Sequence, residues 1–288
     1  MLPPSSGGIT LLQILSILEK FNLKFLSPTS PKTIHLIAEA TKLAYQDRNK
    51  YIADNKNTPL KKLLNKEYLR KRSDLIEPNK IISELKPGNL KISNNYYINQ
   101  NAFEANSTTH ISVIDKDGNA ISMTSSIEYL FGSNLIVDGF MLNNQMTDFS
   151  FQPKINGKKA INRVKPYAQP RSSMTPTFVF DEKDNLTLIV GSPGGPRIIQ
   201  YVAKTIIAYI DWKMDIDKAI ALPNFIAINN NLELEKGTYL EKVSKDLQEI
   251  GHNVKIKNIS SGITAISIKG DKIYGAADYR RNGGATGQ

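Results

Sequence analysis

The chain contains no cysteine and only three histidines, His35, His110 and His252. The first absence excludes disulfides, thiolate nucleophiles, cysteine-ligated zinc and iron–sulfur clusters together. The second leaves little for a histidine triad or a metal centre, because the rings are scattered; His35 falls in a helical stretch and His252 follows the helix-ending Gly251. Also missing is any run of roughly eighteen apolar residues, the length a membrane-spanning helix needs. The opening MLPPSSGG has no basic segment and no apolar run ahead of its Pro and Gly residues, so no secretory leader is expected. No P-loop, no dinucleotide-binding glycine fingerprint after a strand and no H-E-x-x-H zinc motif occurs.

What the chain does contain is an ordinary globular composition: 288 residues, 40% hydrophobic and 22% charged, enough for one large domain or two modest ones. Its net charge of +10 points first to an anionic partner, nucleic acid above all. The excess is uneven, however. Residues 1–107 carry 16 basic and 9 acidic side chains, whereas 108–288 carry 21 and 18. Much of the first excess lies in residues 61–72, KKLLNKEYLRKR, where Leu63, Leu64 and Leu69 punctuate the basic residues. That pattern reads as a helix with a wet basic face. With no zinc-finger spacing and no RNP-type aromatic motif, no nucleic-acid partner is expected.

Ile9, Leu11, Leu12, Ile14, Leu15, Ile17 and Leu18 recur at helical spacing after Gly7-Gly8, and Asn22 with the Ser-Pro-Thr-Ser-Pro that follows ends this helix. Ser30 offers an N-cap ahead of Pro31 and opens a second helix to about residue 51. A shorter basic helix is expected near 59–75, and 77–107, with its NNYYINQN run, reads as a connector. The character changes at Thr108. Residues 109–115 and 120–126 alternate as strands about Lys116-Asp117-Gly118-Asn119, 178–180 pairs with 186–190, and 263–268 pairs with 272–276. A long helix follows Gly195 with Ile198, Ile199, Val202, Ile206 and Ile207 inward, and another fits 239–250. This order indicates a layered α+β domain beginning near 108.

Ser107-Thr108-Thr109-His110 stands at the start of the first strand, directly after the connector. A hydroxyl there has no obvious histidine base. A threonine at a chain N-terminus needs none, because its own α-amine, with an ordinary pKa of about 7.7–8.0, takes the proton. Thr108 is internal, so that chemistry requires cleavage of the Ser107–Thr108 bond. Taken alone, the four residues read as a plain strand start, where Thr pairs are common.

The surrounding motifs change that balance. TTHISVIDKDGNAIS from Thr108, FGS from Phe131, LNNQMTDFS from Leu142, PRSSMTPT from Pro170, GSPGGPRII from Gly191 and YGAADYRRNGGATG from Tyr274 resemble the γ-glutamyltranspeptidase family, as do PPSSGG at Pro3 and EATKLAYQDR at Glu39. The resemblance runs through essentially all 288 residues in order. It implies an N-terminal-nucleophile hydrolase, an α+β four-layer αββα sandwich that is incomplete here because the N-terminal half of the family's precursor is absent. Residues 1–107 would be the end of the large subunit and 108–288 the small, catalytic subunit, divided by autoproteolysis at Ser107–Thr108. The implied reaction is γ-glutamyl transfer or hydrolysis of glutathione-like compounds, to an amino acid or water, with no metal or organic cofactor.

The implied roles follow motif by motif. Thr108 matches the nucleophile, Thr109 the next hydroxyl, Ser126 the hydroxyl that bonds the nucleophile, and Gly194 and Gly195 the backbone oxyanion hole. Glu128, Gln145 and Asp148 match groups around the substrate's α-amino end, and Ser172 and Ser173 those near its α-carboxylate. His110 is scaffold. The arginine that the family typically uses on the α-carboxylate lies in the missing half, leaving Arg197, Arg280 and Arg281 as unassigned alternatives. Residues 151–170, where some relatives carry a lid, are basic here (Lys154, Lys158, Lys159, Arg163 and Lys165), which suits either a solvated loop or an anionic polymer such as poly-γ-glutamate. The resemblance further implies a periplasmic or extracellular whole protein and a cytoplasmic chain if this piece is made alone. Three readings stay open: an active enzyme completed by the remainder of the large subunit, a non-catalytic remnant, and, far behind, a basic binding protein.

Overall fold

The computed structural model describes residues 4–55, 58–91, 107–228 and 230–287, so the Asn-rich run of the expected connector lies outside the described residues. The first part is helical: α1 (Gly7–Leu18), α2 (Pro31–Tyr51), α3 (Leu60–Leu63) and α4 (Lys66–Ser73). α2 begins where expected because the Ser30 side chain accepts the Thr33 N–H and Pro31 supplies a preset first turn. The expected single basic helix is two short ones, since Asn65 breaks the first and caps the second by accepting Tyr68 N–H at 3.0 Å. Nor is its basic face wholly wet. Arg72 is buried, donates to Leu43 O at 3.0 Å and lies 3.3 Å from Asp47 Oδ1.

From Thr108 the chain builds β1 (Thr108–Ile114), β2 (Ala120–Ser126), β3 (Ile136–Val137), β4 (Phe140–Met141), β5 (Lys154–Ile155), β6 (Lys158–Lys159), β7 (Thr177–Phe180) and β8 (Leu186–Gly191). There follow α5 (Ile198–Ile210), α6 (Ile216–Ala221), β9 (Phe225–Ile228), β10 (Asn231–Glu235), α7 (Ser244–Ile250), β11 (Asn253–Lys257), β12 (Thr264–Lys269) and β13 (Lys272–Ala277). The central sheet has the order β13-β12-β8-β7, antiparallel throughout. A second sheet, β11-β10-β9, was not anticipated from the pattern: Phe225, Ile226 and Ala227 are all buried, so the strand shows no alternation.

The core lies between the central sheet and the helices. Ile14 and Ile17 of α1, Leu36 and Leu43 of α2, and Ile199 and Val202 of α5 belong to one buried cluster with Leu188 and Val190 of β8. That cluster crosses residue 107, so the helical part and the sheet part are not separate folding units. Alternation turns Ile189 and Gly191 to the opposite face, where the β1–β2 ribbon packs. Ser112 Oγ donates to Thr264 O and Ser122 Oγ to Val190 O, both at 3.4 Å, and the His110 ring lies on Gly191. The layers are therefore helices, central sheet and ribbon. The ribbon's outer face is open among the described residues: Ile111, Val113, Ile121 and Met123 are each about half exposed.

The His110–Gly191 contact is a tight one. A Cβ on Gly191 would stand 2.1 Å from His110 Cε1. Gly191→Ala should therefore cost about 1–3 kcal/mol of stability by overpacking, read as a lowered melting temperature in calorimetry. An unshifted melting temperature would show that ribbon and sheet are not held in this register.

Candidate active site

The site grows from the β1–β2 hairpin. Its turn is fixed by Asp115, whose Oδ1 accepts Asp117 N–H at 2.9 Å and Asn119 N–H at 2.8 Å. The resulting register puts Thr108 opposite Ser126, at the far end of the ribbon from that turn. Thr108 Oγ1 donates to Ser126 Oγ at 3.2 Å. Thr109, one residue on, points to the exposed outer face, so the structure does not bring it to this line.

From Ser126 the bonds continue. Its Oγ accepts the Glu128 N–H at 3.0 Å, and Glu128 is buried with a left-handed φ of 74°. Gln145 Nε2 donates to Glu128 Oε2 at 3.3 Å and also to Asp148 Oδ2. The Asp148 carbonyl accepts Asn162 Nδ2 at 2.6 Å, and Asn162 Oδ1 accepts Arg171 N–H at 3.1 Å. One hydrogen-bonded line thus runs from Thr108 through Ser126, Glu128, Gln145, Asp148 and Asn162 to the residue before Ser172. Ser107 joins it, donating to Glu128 O.

Ser172 and Ser173 are held from the helical part. Ser6 N–H and Oγ both donate to Ser172 O, at 2.8 and 2.7 Å, and Arg48 donates from Nε to Ser6 Oγ and from Nη2 to Ser173 Oγ. Gly7 permits this approach, since a Cβ there would meet Met174 O at 2.3 Å. The line therefore has two carboxylates and an amide at one end and serine hydroxyls backed by a buried guanidinium at the other. Such a pair of ends suits a zwitterionic, amino-acid-like group.

Gly194 and Gly195 follow β8 on the Ser192–Pro193 turn, with φ of 137° and 58°, values that favour glycine. A Cβ on Gly194 would also strike the Tyr201 ring at 2.6 Å. Both glycines are buried, and among the described residues nothing accepts either N–H. Two buried donors of this kind are what a developing oxyanion uses. Gly194 caps and Gly195 begins a turn of 3-10 helix, Gly195–Arg197, which leads into α5, so the pair does not open the α-helix directly.

Burial holds His110 down to about 4, and the ring bonds Thr124 Oγ1 at 2.8 Å and Ser112 Oγ at 3.2 Å. It is a neutral strut near pH 7. Arg197 is paired with Glu233 at 2.9 Å, and Arg280 with Glu235 and Asp278, so neither arginine is free to take a substrate carboxylate. Sequence reasoning missed Ser6, Arg48 and Asn162. The first two sit inside the matching stretches PPSSGG and EATKLAYQDR, but nothing local says that they reach Ser172 and Ser173 across more than a hundred residues.

The model of the family described as Gamma-glutamyltranspeptidase matches residues 1–288. The chain belongs to this family. It is 38% identical to the glutathione hydrolase proenzyme of Escherichia coli K12, over 97% of this chain and 49% of that protein. It therefore spans about half the length of the curated relatives it matches. Among solved structures, the Helicobacter pylori γ-glutamyltranspeptidase aligns with a TM-score of 0.54 at 36% identity, covering 60% of this chain and 99% of that one. The Bacillus halodurans cephalosporin acylase, at 22% identity, aligns with a TM-score of 0.81 over 97% of this chain and 49% of its own. The mixed α+β architecture is thus that of the N-terminal-nucleophile hydrolases to which γ-glutamyltranspeptidases and these acylases belong. Among the described residues, no helix is long and apolar enough to cross a membrane.

Proposed function

We propose that the chain is the catalytic portion of a γ-glutamyl hydrolase or transferase whose nucleophile is Thr108. The observation that carries this reading is the hydrogen-bonded line that starts at the Thr108–Ser126 pair and passes the carboxylates of Glu128 and Asp148. Cleavage between Ser107 and Thr108 converts the Thr108 amide into an amine. That amine accepts the Oγ1 proton, and Oγ1 attacks the γ-glutamyl carbonyl. The oxyanion is stabilised by the Gly194 and Gly195 N–H groups, the leaving amine departs with the proton, and water or an amino acid then resolves the Thr108 ester. Glu128, Gln145 and Asp148 hold the substrate ammonium, and Ser172 and Ser173, backed by Arg48, its α-carboxylate.

In this reading, residues 1–107 close the large subunit and 108–288 form the small one. The remainder of the large subunit covers the apolar outer face of the ribbon, completing the αββα sandwich. Glutathione-like compounds are the donor class in this reading. The exposed Lys158 and Lys159 of the short β5–β6 ribbon favour poly-γ-glutamate as an alternative donor.

Denaturing electrophoresis with N-terminal sequencing tests the proposal. Two fragments are expected, the larger, residues 108–288, beginning Thr-Thr-His, together with release of p-nitroaniline from γ-glutamyl-p-nitroanilide. A single intact chain without turnover, even beside the remainder of the large subunit, would favour the remnant reading.

A further inference from the structure

Away from the Thr108 line, two elements bring together three buried titratable side chains that the proposed chemistry does not use. His35 and Glu39 lie one turn apart on α2, and His252 follows Gly251, whose φ of 112° ends α7. Their ligating atoms all fall within 4.8 Å of one another. His35 belongs to residues 1–107 and His252 to residues 108–288.

The hydrogen bonds determine both tautomers. His35 Nε2 lies 2.7 Å from Glu77 O, and a carbonyl only accepts, so Nε2 carries the hydrogen. His35 Nδ1 is then a bare acceptor 2.8 Å from His252 Nε2, which must be the donor. His252 Nδ1 is bare in turn and faces the Lys42 ammonium at 3.5 Å. Lys42 also donates to Glu39 Oε1 at 2.7 Å, and the Ile82 N–H to Glu39 Oε2 at 2.8 Å. The chain of donors runs one way, from Lys42 to the Glu77 carbonyl, and every ring nitrogen is used.

This arrangement has no place for another proton. On His35 Nδ1 it would oppose the His252 Nε2–H; on His252 Nδ1 it would oppose Lys42. A metal ion fits no better. It needs both facing nitrogens bare, whereas one must hold the shared proton, and Lys42 already occupies the cation's place beside Glu39.

We propose that the His35–His252 pair is a proton-sensitive clasp, helping to fasten residues 1–107 to 108–288 while both rings are neutral and weakening that attachment in acid. Its consequence for the two cut pieces rests on the proposed cleavage, but the clasp itself operates in the uncut chain. The charged groups facing the rings are Glu39 and Lys42 of α2, with the Glu77 carbonyl from the segment after α4. Burial, aided by Lys42 and by His35, holds His252 down to about 3. Burial also lowers His35, opposed by the Glu77 bond and Glu39. In the open state each ring titrates near its ordinary value of about 6.5. The clasp's contribution is therefore complete above that pH and is lost as pH falls below it, by up to about tenfold in the closing constant per pH unit for each ring that stays neutral. His110, held low by burial as well, adds a slope of the same sign and is kept constant in the comparison.

The test compares denaturant unfolding of the full uncut chain (Thr108→Ala) with the same chain carrying His35→Gln and His252→Gln, between pH 7 and 5. The parent should lose up to about a hundredfold more in folding constant per pH unit than the glutamine pair. Equal slopes would overturn the clasp. Should the glutamine pair not fold, nitrogen-15 spectra of the histidine rings in the parent decide. Two rings with protonated Nε2 and bare Nδ1, untitrated from pH 7.5 to 5.5, are expected. Titration of either near 6.5, or one equivalent of added zinc bound at these rings, would overturn it. Because the chain is uncut by design, failure of the cleavage reading leaves this comparison intact.

Discussion

Thr108→Ala should leave the chain as one polypeptide and lower γ-glutamyl-p-nitroanilide turnover in the proposed whole enzyme by at least about a thousandfold, the scale on which nucleophile deletions act. Both effects come from one atom. Thr108 Oγ1 donates to Ser126 Oγ, and the bond to be cut adjoins it. Thr108→Ser keeps that oxygen and should still cleave and turn over at a reduced rate. Ser126→Ala removes the acceptor shared by Thr108 and the Glu128 N–H, so it should cost about tenfold, near the net value of one hydrogen bond. The pH profile offers a second check. His110 stays neutral and is occupied by Thr124 and Ser112; with the freed amine as base, as proposed, the rate should rise through about pH 7.7–8.0. Normal cleavage and turnover in Thr108→Ala would remove the residue from the mechanism.

Much of this arrangement was legible in the residues. The Ser30-Pro31 start, the Lys116–Asn119 turn and the alternation of 109–115 and 120–126 are local signals, and each places its element to within a residue. Because strand alternation is local too, the opposite directions of Thr108 and Thr109 follow once the hairpin register is known. What escaped was long-range or unpatterned. The β9–β10–β11 sheet has a strand buried on both faces, with no period to read. Arg72 looked like one more surface charge, yet its guanidinium is paired with Asp47 inside the helical layer. Arg48 and Asn162 owe their importance to partners 125 and 14 residues away, which no spacing rule announces. The histidines show the same limit: scattered in sequence, two of them are hydrogen-bonded across 217 residues.

Arg280→Met should destabilise the fold by about 3–5 kcal/mol, the usual result of stripping one partner from a buried ion pair. Its side chain is 5% exposed and donates to Glu235 Oε1 at 2.6 Å and to Asp278 Oδ1 at 3.0 Å. The remaining oxygens of those carboxylates are already spoken for: Glu235 Oε2 takes the Asn224 N–H at 2.6 Å, and Asp278 Oδ2 takes Ser261 Oγ. Asn224 in turn bonds Ser261 Oγ and Lys204 Nζ, both at 2.8 Å. Removing the guanidinium leaves two buried carboxylates facing one lysine, which burial first and Arg280 second push down to about 7. Lys204 then regains charge affinity as Arg280's repulsion disappears, but it reaches Asn224 and Leu222 O rather than the carboxylates, so it cannot replace the lost bonds. The damage also reaches the glycine loop. Gly262, beside Ser261, donates to Ser192 Oγ at 3.4 Å, and a Cβ there would meet Pro193 at 2.6 Å, so the Ser261–Asp278 network backs the turn that presents Gly194. Arg280→Met should therefore show a melting temperature lower by many degrees and, in whatever fraction folds, a reduced kcat. A melting temperature within a degree of the parent would mean that the carboxylates are satisfied some other way.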